Sequence, residues 1–306
     1  MKKIALIGST GSVGRQVLEV VRNNSGFRIV SLTAHVNAGL LKKQIAEFNP
    51  QVACLTGGGS FSPVSGEKLY FGENFALEAV TDDADVVFVA VPPSAVAPVV
   101  DAIAPRLKEG AVVVDATGVK GTVCRDLRKY AYETRWVFVG GHPMAGKEKN
   151  GYENSDASLF DGASMILTPY PTYGRAPLDM LERLLREMGF ARIVYTDPAH
   201  HDEMIAFTSQ LCHLISSAYV REPLARDHVG YSAGSFRDMA RVGAPDPDTW
   251  TELFFANRDA LLPILERYIA RLDDFRGALA ANDRGCMHKA LEEGVHAKSQ
   301  FGKGLK

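Results

Sequence analysis

The most restrictive feature of the chain lies at its amino terminus. The apolar run Ile4-Ala5-Leu6-Ile7 passes directly into Gly8-Ser9-Thr10-Gly11-Ser12-Val13-Gly14, and a helical pattern follows from Arg15 to Asn23. Strand, glycine turn and helix in that order form the first half of a βαβ unit. Small residues let the backbone approach a pyrophosphate there, and the helix N-terminus offers amide donors and a positive dipole end. The spacing is G-x-x-G-x-x-G instead of the usual G-x-G-x-x-G, and a plain tight turn is the competing reading. Its position between an amino-terminal strand and a helix favours a dinucleotide.

The rest of the first half keeps the same alternation. Phe27 to Ala34 reads as a second strand, and a glycine- and serine-rich loop runs from Gly57 to Gly66. Asp85 to Val91 reads as a fourth strand, apolar as a buried parallel strand should be, and Pro92-Pro93 ends it. A helix is expected from Val96 to Leu107. A fifth strand, Ala111 to Asp115, is closed by the loop Ala116 to Gly121. Trp136 to Val139 reads as a buried strand cut off by Gly140-Gly141, with His142 at its carboxyl end. Further strands are expected at Gly162–Pro169 and Ala191–Tyr195, with a helix at Leu178–Met188 between them.

These alternations predict an α/β fold, a Rossmann-like, doubly wound, mostly parallel sheet followed by an all-helical C-terminal domain. Residues 1–170 form the dinucleotide-binding domain in this reading and 171–306 the helical substrate and dimerisation domain, with 177–197 able to pack on the sheet. The loops at Pro92, Thr117 and His142 then meet over the nicotinamide end of the crevice. Cofactor contacts are expected from Gly8, Ser9, Thr10, Gly11, Ser12, Val13 and Gly14, from Val91 and Pro92, and from His35 and Asn37. At the end of the second strand, where NAD sites often carry an acidic residue, stand Ala34-His35-Val36-Asn37. Without that carboxylate a 2′-phosphate is not repelled, and His35, Asn37 or Lys42/Lys43 can contact it. The cofactor is therefore NADP or NAD, with the balance toward NADP.

The helical half begins near His200. A helix is expected from His200 to Val220, a polar stretch from Arg221 to Gly234, a segment from Phe236 to Val242, and one long helix from Thr249 to Ala281. Leu261, Leu265, Tyr268, Leu272, Phe275 and Leu279 recur there at alternating steps of four and three. That heptad seam suits packing between two copies or within one.

Composition excludes several function classes. Of 306 residues, 46% are hydrophobic and 23% charged, and the net charge of −2 offers no basic excess for nucleic acid. The amino-terminal apolar run is too short for a signal sequence. The richest apolar stretch, Ala84 to Val100, carries Asp85 and three prolines, so no membrane span is expected. Four cysteines stand singly, without a C-x-x-C pair, which points to a reducing, cytoplasmic setting and no zinc site.

Chemistry-bearing residues cluster in a few places. His142 follows a buried strand, and Pro143 helps hold its imidazole; a turn histidine with no chemistry is the plain alternative. Asp202 and His213, eleven residues apart, share a face if their helix is regular, with Thr208 and Ser209 nearby. Arg237 and Arg241 are four apart; a solvated face is their plain reading, and bidentate pairing with a carboxylate their functional one. Gln210, Trp250 and Glu148 complete the set. If the helical half caps the crevice, His142 faces His213 and an arginine across a cavity suited to a small acid.

Two resemblances follow. Residues Lys2 to Leu55, with Ile4 through Gln16 and Leu18-Glu19-Val20-Val21 as the matching positions, resemble the NADPH-binding start of deoxyxylulose-phosphate reductoisomerases, and this likeness fades after Pro50. From about residue 84 to 275 the chain resembles the prephenate dehydrogenase family. The matching blocks are Gly141 through Glu148 with Gly151-Tyr152-Glu153; Asp202 with Thr208 through Ile215; and Ser232 through Val242, with Asp246-Pro247, Trp250 and Asn257-Arg258. That resemblance implies oxidative decarboxylation of prephenate to 4-hydroxyphenylpyruvate in tyrosine biosynthesis, or the same chemistry on arogenate. It implies that His142 accepts the substrate hydroxyl's proton, that Arg241 pairs with a substrate carboxylate and that His213 seats the substrate. It further implies that Glu148 and Asp202 form an ionic gate around Arg241, with Trp250 shaping the site or the subunit contact. The family's substrate-contacting serine falls at Gly118 here, with Thr117 beside it as the alternative hydroxyl. A helical domain with the heptad seam often forms a dimer interface, so a homodimer is expected; with no room after the helical half for a regulatory domain, tyrosine feedback through one is not expected. Two other readings compete: a sugar-phosphate isomeroreductase, which should need a metal and a carboxylate cluster not found here, and a dinucleotide sensor without catalysis.

Overall fold

The computed structural model describes residues 1–57, 68–71, 83–133, 135–145 and 160–301, with the backbone alone described for 68–71. Strand β1 (Lys2–Ile7) alternates Ile4 and Leu6 toward one face with Ala5 and Ile7 toward the other, and all four are buried. A strand that is apolar on both faces must lie inside a sheet covered on both sides. It does: β1 pairs in parallel with β2 (Phe27–Ala34) on one side and with β5 (Val86–Val89) on the other.

The nine strands run in the order β4-β3-β2-β1-β5-β6-β7-β8-β9. Strands β3 (Val52–Leu55) and β4 (Lys68–Phe71) extend the β2 edge. Strand β4 had no expectation from sequence. On the other side follow β6 (Val112–Asp115), β7 (Val137–Met144), β8 (Ser164–Pro169) and β9 (Arg192–Tyr195). Every pairing is parallel except β7 with β8. The chain order reverses between β1 and β5, so the crevice for a ligand opens over the carboxyl ends of these two strands.

Helices α1 (Ser12–Arg22), α2 (Ala38–Phe48) and α5 (Arg175–Glu187) cover one face, through Val17, Leu18, Leu41, Ile45, Leu181 and Leu185. Helices α3 (Pro93–Ile103) and α4 (Gly121–Asp126) cover the other, through Val96, Val100, Ile103 and Val123. Helix α5 and β9 therefore belong to the sheet layer, and the chain turns wholly helical only from Pro198.

The glycines at 140 and 141 do not end their strand, as the sequence reading had it. Parallel pairing of β7 with β6 stops at Val139, but β7 continues to Met144 against β8, with His142 opposite Ile166. The glycines are there for closeness: a Cβ at Gly140 would lie 2.2 Å from Thr168 Oγ1 and 3.1 Å from Lys120 Cδ, and one at Gly141 2.5 Å from the Asp115 carbonyl oxygen.

Two long helices of the sequence reading are interrupted. Helix α6 (Pro198–Ile205) passes through a π turn at Ala206–Gln210 into α7 (Leu211–Val220). The stretch 249–281 is split at Asn257 into α9 (Pro247–Ala256) and α10 (Arg258–Ala280). Asn257 is buried, and its amide donates to the Asp202 carbonyl (2.9 Å) and to Gln210 Oε1 (2.7 Å), which holds the break against α6 and the π turn. Helices α8 (Gly234–Ala240) and α11 (Arg284–Phe301) complete the half.

The heptad seam splits in the same way. Leu261 is 5% exposed and packs with Ala206, Leu211 and Ile264, whereas Leu279 is 72% exposed. Among the described residues no helix is long and apolar enough to cross a membrane.

Candidate active site

The glycine turn closes over the crevice. Gly8 has φ +84°, and a Cβ there would lie 2.2 Å from the Ala90 carbonyl oxygen and 3.3 Å from Val91 Cγ1. Gly14 packs as closely, its Cβ position 2.3 Å from the Gly8 carbonyl oxygen. The turn is thus pressed against the end of β5, beside Val91 and Pro92, and α1 leaves from it with first-turn amides that have no partner inside the helix. Gly11, in contrast, is exposed and crowded by nothing nearer than 3.4 Å. That open backbone suits a pyrophosphate. Ser9 is turned inward, its hydroxyl donating to Gln44 Oε1 (2.7 Å), so it contributes backbone alone. Thr10 and Val13 are half-buried, and the Ser12 side chain lies outside the described residues.

At the end of β2, His35 is exposed, with Nδ1 3.0 Å from Thr56 Oγ1. Asn37 caps α2, its Oδ1 accepting from the Leu40 amide at 3.0 Å. No acidic side chain occupies positions 34–37.

Beyond the crevice lies a buried charge network under His142. Asp115, at the end of β6, and Lys120 form an ion pair with both side chains 0% exposed. Asp115 also accepts from the Gly141 amide (3.0 Å), the Thr117 amide (2.9 Å) and the Thr117 hydroxyl (2.5 Å). The Thr117 hydroxyl in turn accepts from Lys120 Nζ at 2.9 Å. Thr117 is therefore committed inward and does not offer its hydroxyl to the cleft. Gly118 faces it instead: a Cβ there would lie 3.9 Å from His142 Nε2 and 3.4 Å from Leu253 Cδ2 of α9.

His142 Nδ1 lies 2.9 Å from His201 Nε2, and His201 Nδ1 lies 2.7 Å from Asp202 Oδ1. Burial holds the His142 imidazole well below its usual pKa, and the neighbouring His201 and Lys120 add to the effect. A neutral ring with Nδ1 engaged leaves Nε2 as the nitrogen that meets the cleft.

Asp202 does not occupy a gate. Its carboxylate is buried; Oδ1 accepts from the Lys120 amide (2.8 Å) and Oδ2 from the Gly121 amide (2.7 Å). Among the described residues its ion-pair partner is His201, not Arg241. The π turn explains this: it takes up one extra residue, so the face carrying Asp202 is rotated away from the one carrying His213.

His213 belongs to a second group. Its Nδ1 lies 3.2 Å from the Val242 carbonyl oxygen, and its ring lies 3.6 Å, centroid to centroid, from Trp250. Desolvation lowers its pKa too. Arg241, at the carboxyl end of α8, is exposed and engaged. Helix α9 joins the two groups, since it carries Trp250 toward His213 and, one turn on, Leu253 toward Gly118. Glu148 lies outside the described residues.

Sequence reasoning missed His201, Lys120, Asp115 and Asn257. The His201-Asp202 dipeptide was in view, but nothing in its spacing distinguishes a buried histidine from a solvated one. Asp115 and Lys120 were not singled out, because nothing in a strand-end aspartate and a lysine five residues on shows that both are buried.

The comparisons with known proteins agree with this architecture. The family model for the prephenate dehydrogenase nucleotide-binding domain matches residues 66–195, and that for the dimerization domain matches 197–293. A cyclohexadienyl dehydrogenase of Zymomonas mobilis is 33% identical over 242 residues, which span 75% of this chain and 80% of that protein. The structure of prephenate dehydrogenase from Aquifex aeolicus in complex with hydroxyphenyl propionate and NAD+ shares the fold, with a TM-score of 0.76, 23% identity and 98% of each chain covered. Arogenate dehydrogenase from Synechocystis does so with a TM-score of 0.71, 22% identity, and 98% and 99% covered. Residues 4–108 also match the model for 1-deoxy-D-xylulose 5-phosphate reductoisomerase, so this likeness runs well past Pro50, where the sequence reading ended it. Two domain models in order over 66–293 and a relative matched over most of its length leave one conclusion: the chain belongs to the prephenate dehydrogenase family of oxidoreductases.

Proposed function

We propose that this protein catalyses the NAD(P)-dependent oxidative decarboxylation of prephenate to 4-hydroxyphenylpyruvate, with His142 as the base. The observation that carries this reading is the placement of the His142 imidazole, its Nδ1 engaged by His201 and its Nε2 beside Gly118, where burial holds its pKa well below the usual value. Nε2 takes the proton of the substrate hydroxyl as that group becomes a carbonyl. A nicotinamide dinucleotide held at Gly8–Gly14 supplies the hydride acceptor. Loss of the ring carboxylate as CO2 aromatises the ring, so the protein's task is to orient the ring and relieve the hydroxyl of its proton. Arg241 pairs with a substrate carboxylate, His213 and Trp250 form the wall behind it, and Gly118 leaves room above His142. Thr117 and Asp202 are left out of substrate contact because both are buried and engaged elsewhere.

NADP is favoured over NAD by the missing carboxylate at positions 34–37, by the exposed His35 near Lys42 and Lys43, and by the reductoisomerase-like first third. The helical half pairs two copies: Leu272 and Leu279 of α10 and Leu291 and Val295 of α11 form an exposed apolar surface, and the matching family domain is described as a dimerization domain. The sheet and helical units divide near residue 196.

Turnover measured on prephenate or arogenate with NAD or NADP, by absorbance of the reduced nicotinamide, tests the reading. Activity in a prephenate combination supports it and fixes the cofactor. Activity with arogenate alone keeps the chemistry and changes the substrate. Folded protein that binds dinucleotide but is silent in all four combinations refutes it. His142→Asn should lose turnover by orders of magnitude while still binding cofactor.

A further inference from the structure

We propose that His201, anchored by Asp202, is a positioning residue that fixes the tautomer of His142, holding its ring proton on Nδ1 and presenting a bare Nε2 to the substrate. The inference rests on the reading of His142 as the base for its role in catalysis, though not for the tautomer itself.

The argument is one of donors and acceptors. Backbone amides only donate, so the amides of Lys120 and Gly121 make acceptors of both Asp202 oxygens. An ionised carboxylate has no proton to give, so in the 2.7 Å contact the donor is His201 Nδ1. With His201 neutral, its one ring proton sits on Nδ1 and leaves Nε2 bare. The 2.9 Å contact to His142 Nδ1 then requires a hydrogen on that atom. With its one proton on Nδ1, neutral His142 has its lone pair on Nε2.

Among the described residues no other hydrogen bond to these ring nitrogens competes. His201 is 1% exposed, so water does not replace its contacts. At the far end, Gly118 places no side chain against Nε2, which lies 3.9 Å from where its Cβ would be. The opposite tautomer would set two bare nitrogens against each other between His142 and His201. It would also turn an N–H toward a hydroxyl that must give up its own proton, and no base would be present.

Two substitutions and one spectroscopic measurement test this in the full-length protein. In the wild type, 15N NMR of labelled histidines should show His142 protonated at Nδ1; protonation at Nε2 overturns the inference even if His142 proves to be the base. His201→Leu removes the acceptor. His142 should then lose its fixed tautomer, and kcat should fall by about a hundredfold or more, on the scale of general-base catalysis, while KM changes little. His201→Gln puts an amide oxygen near the place of Nε2; it should restore the Nδ1–H form and most of kcat. A folded His201→Leu protein that keeps the Nδ1–H form and kcat within about threefold of wild type overturns the proposal, because a loss of that size is far below what general-base catalysis contributes. If His201→Leu fails to fold, the wild-type spectrum and the His201→Gln variant still decide. Full turnover by His142→Asn would remove the base reading while leaving the tautomer result standing, so the two failures are distinguishable.

Discussion

Replacing Lys120 by Met tests whether the buried charge network holds the active-site loop. The methionine keeps most of the aliphatic length and deletes the ammonium. Asp115, 0% exposed, is then left with the amides of Gly141 and Thr117 and the Thr117 hydroxyl. Removing one partner of a buried ion pair costs about 3–5 kcal/mol. Three surviving hydrogen bonds, two of them from fixed backbone, place the expected loss at the lower end, about 3 kcal/mol. Asp115→Asn strands the ammonium instead and should cost a similar amount. The double variant leaves no charge behind, so its loss should fall short of the sum of the singles by about 2 kcal/mol. Urea unfolding followed by the fluorescence of Trp136, which is buried at the entry to β7, reads all four corners of the cycle. Because the same loop presents the Lys120 and Gly121 amides to Asp202, kcat should fall along with stability in Lys120→Met. A loss below about 1 kcal/mol, or strict additivity in the double variant, would refute the reasoning.

Other outcomes follow from the same geometry. With the His142 pKa held well below 6.5, kcat/KM should stay level as pH falls from neutral past 6.5 and drop only further into acid; a limb centred at or above 6.5 contradicts the assignment. Since the folded pKa values of His142 and His213 are lowered, the unfolded chain takes up protons first. Stability contributed by these groups is therefore complete above about pH 6.5 and is lost as pH falls from there through the folded values, which unfolding titrations across pH will show. Gly8→Ala must accept φ +84° and a Cβ 2.2 Å from the Ala90 oxygen, so it should lose at least ~1–2 kcal/mol and weaken dinucleotide binding, whereas Gly11→Ala, with its nearest atom at 3.4 Å, should keep wild-type stability. Leu272→Asp should turn a dimer into a folded monomer in sedimentation; a persistent dimer would move the interface elsewhere.

Much of the fold was legible because it rests on local pattern. The strand at Ile4–Ile7, the glycine turn and the apolar runs at Val86, Val112 and Val137 each carry their own signal, and a doubly wound sheet follows from the alternation. The place of His142 beside the loop of residues 117–118 was legible too. What escaped depends on contacts distant in sequence. The glycines at 140 and 141 read as a strand end because a glycine pair usually is one; their cause is the close approach of Thr168, Cys124 and Lys120 at Gly140 and of the Asp115 carbonyl oxygen and Met165 at Gly141. The break at Asn257 and the π turn at Ala206–Gln210 both arise where side chains of two helices satisfy each other, and no periodicity in one helix reports that. The π turn in turn overturned the shared face of Asp202 and His213, which assumed an uninterrupted helix.

The position of Asp202 has a consequence for how the two halves work together. Its carboxylate comes from the helical half, yet its side-chain contacts are to the Lys120 and Gly121 amides, from the loop of the sheet half, and to His201, which reaches His142 on β7. Its carbonyl also accepts from the Asn257 amide, which fixes α6 against the start of α10. On the proposed reading the sheet half should hold a dinucleotide by itself, because the close contacts of Gly8 and Gly14 come from Ser9, Ala90 and Val91 and none from beyond residue 196. It cannot orient His142, because the acceptor for Nδ1 arrives with α6. On that reading, cofactor binding and preparation of the base fall to different halves of the chain and meet only when the helices dock. A truncated sheet half that folds should therefore bind dinucleotide and show a His142 ring with no preferred tautomer. The same fragment with an ordered Nδ1–H ring would mean that something other than His201 sets the base.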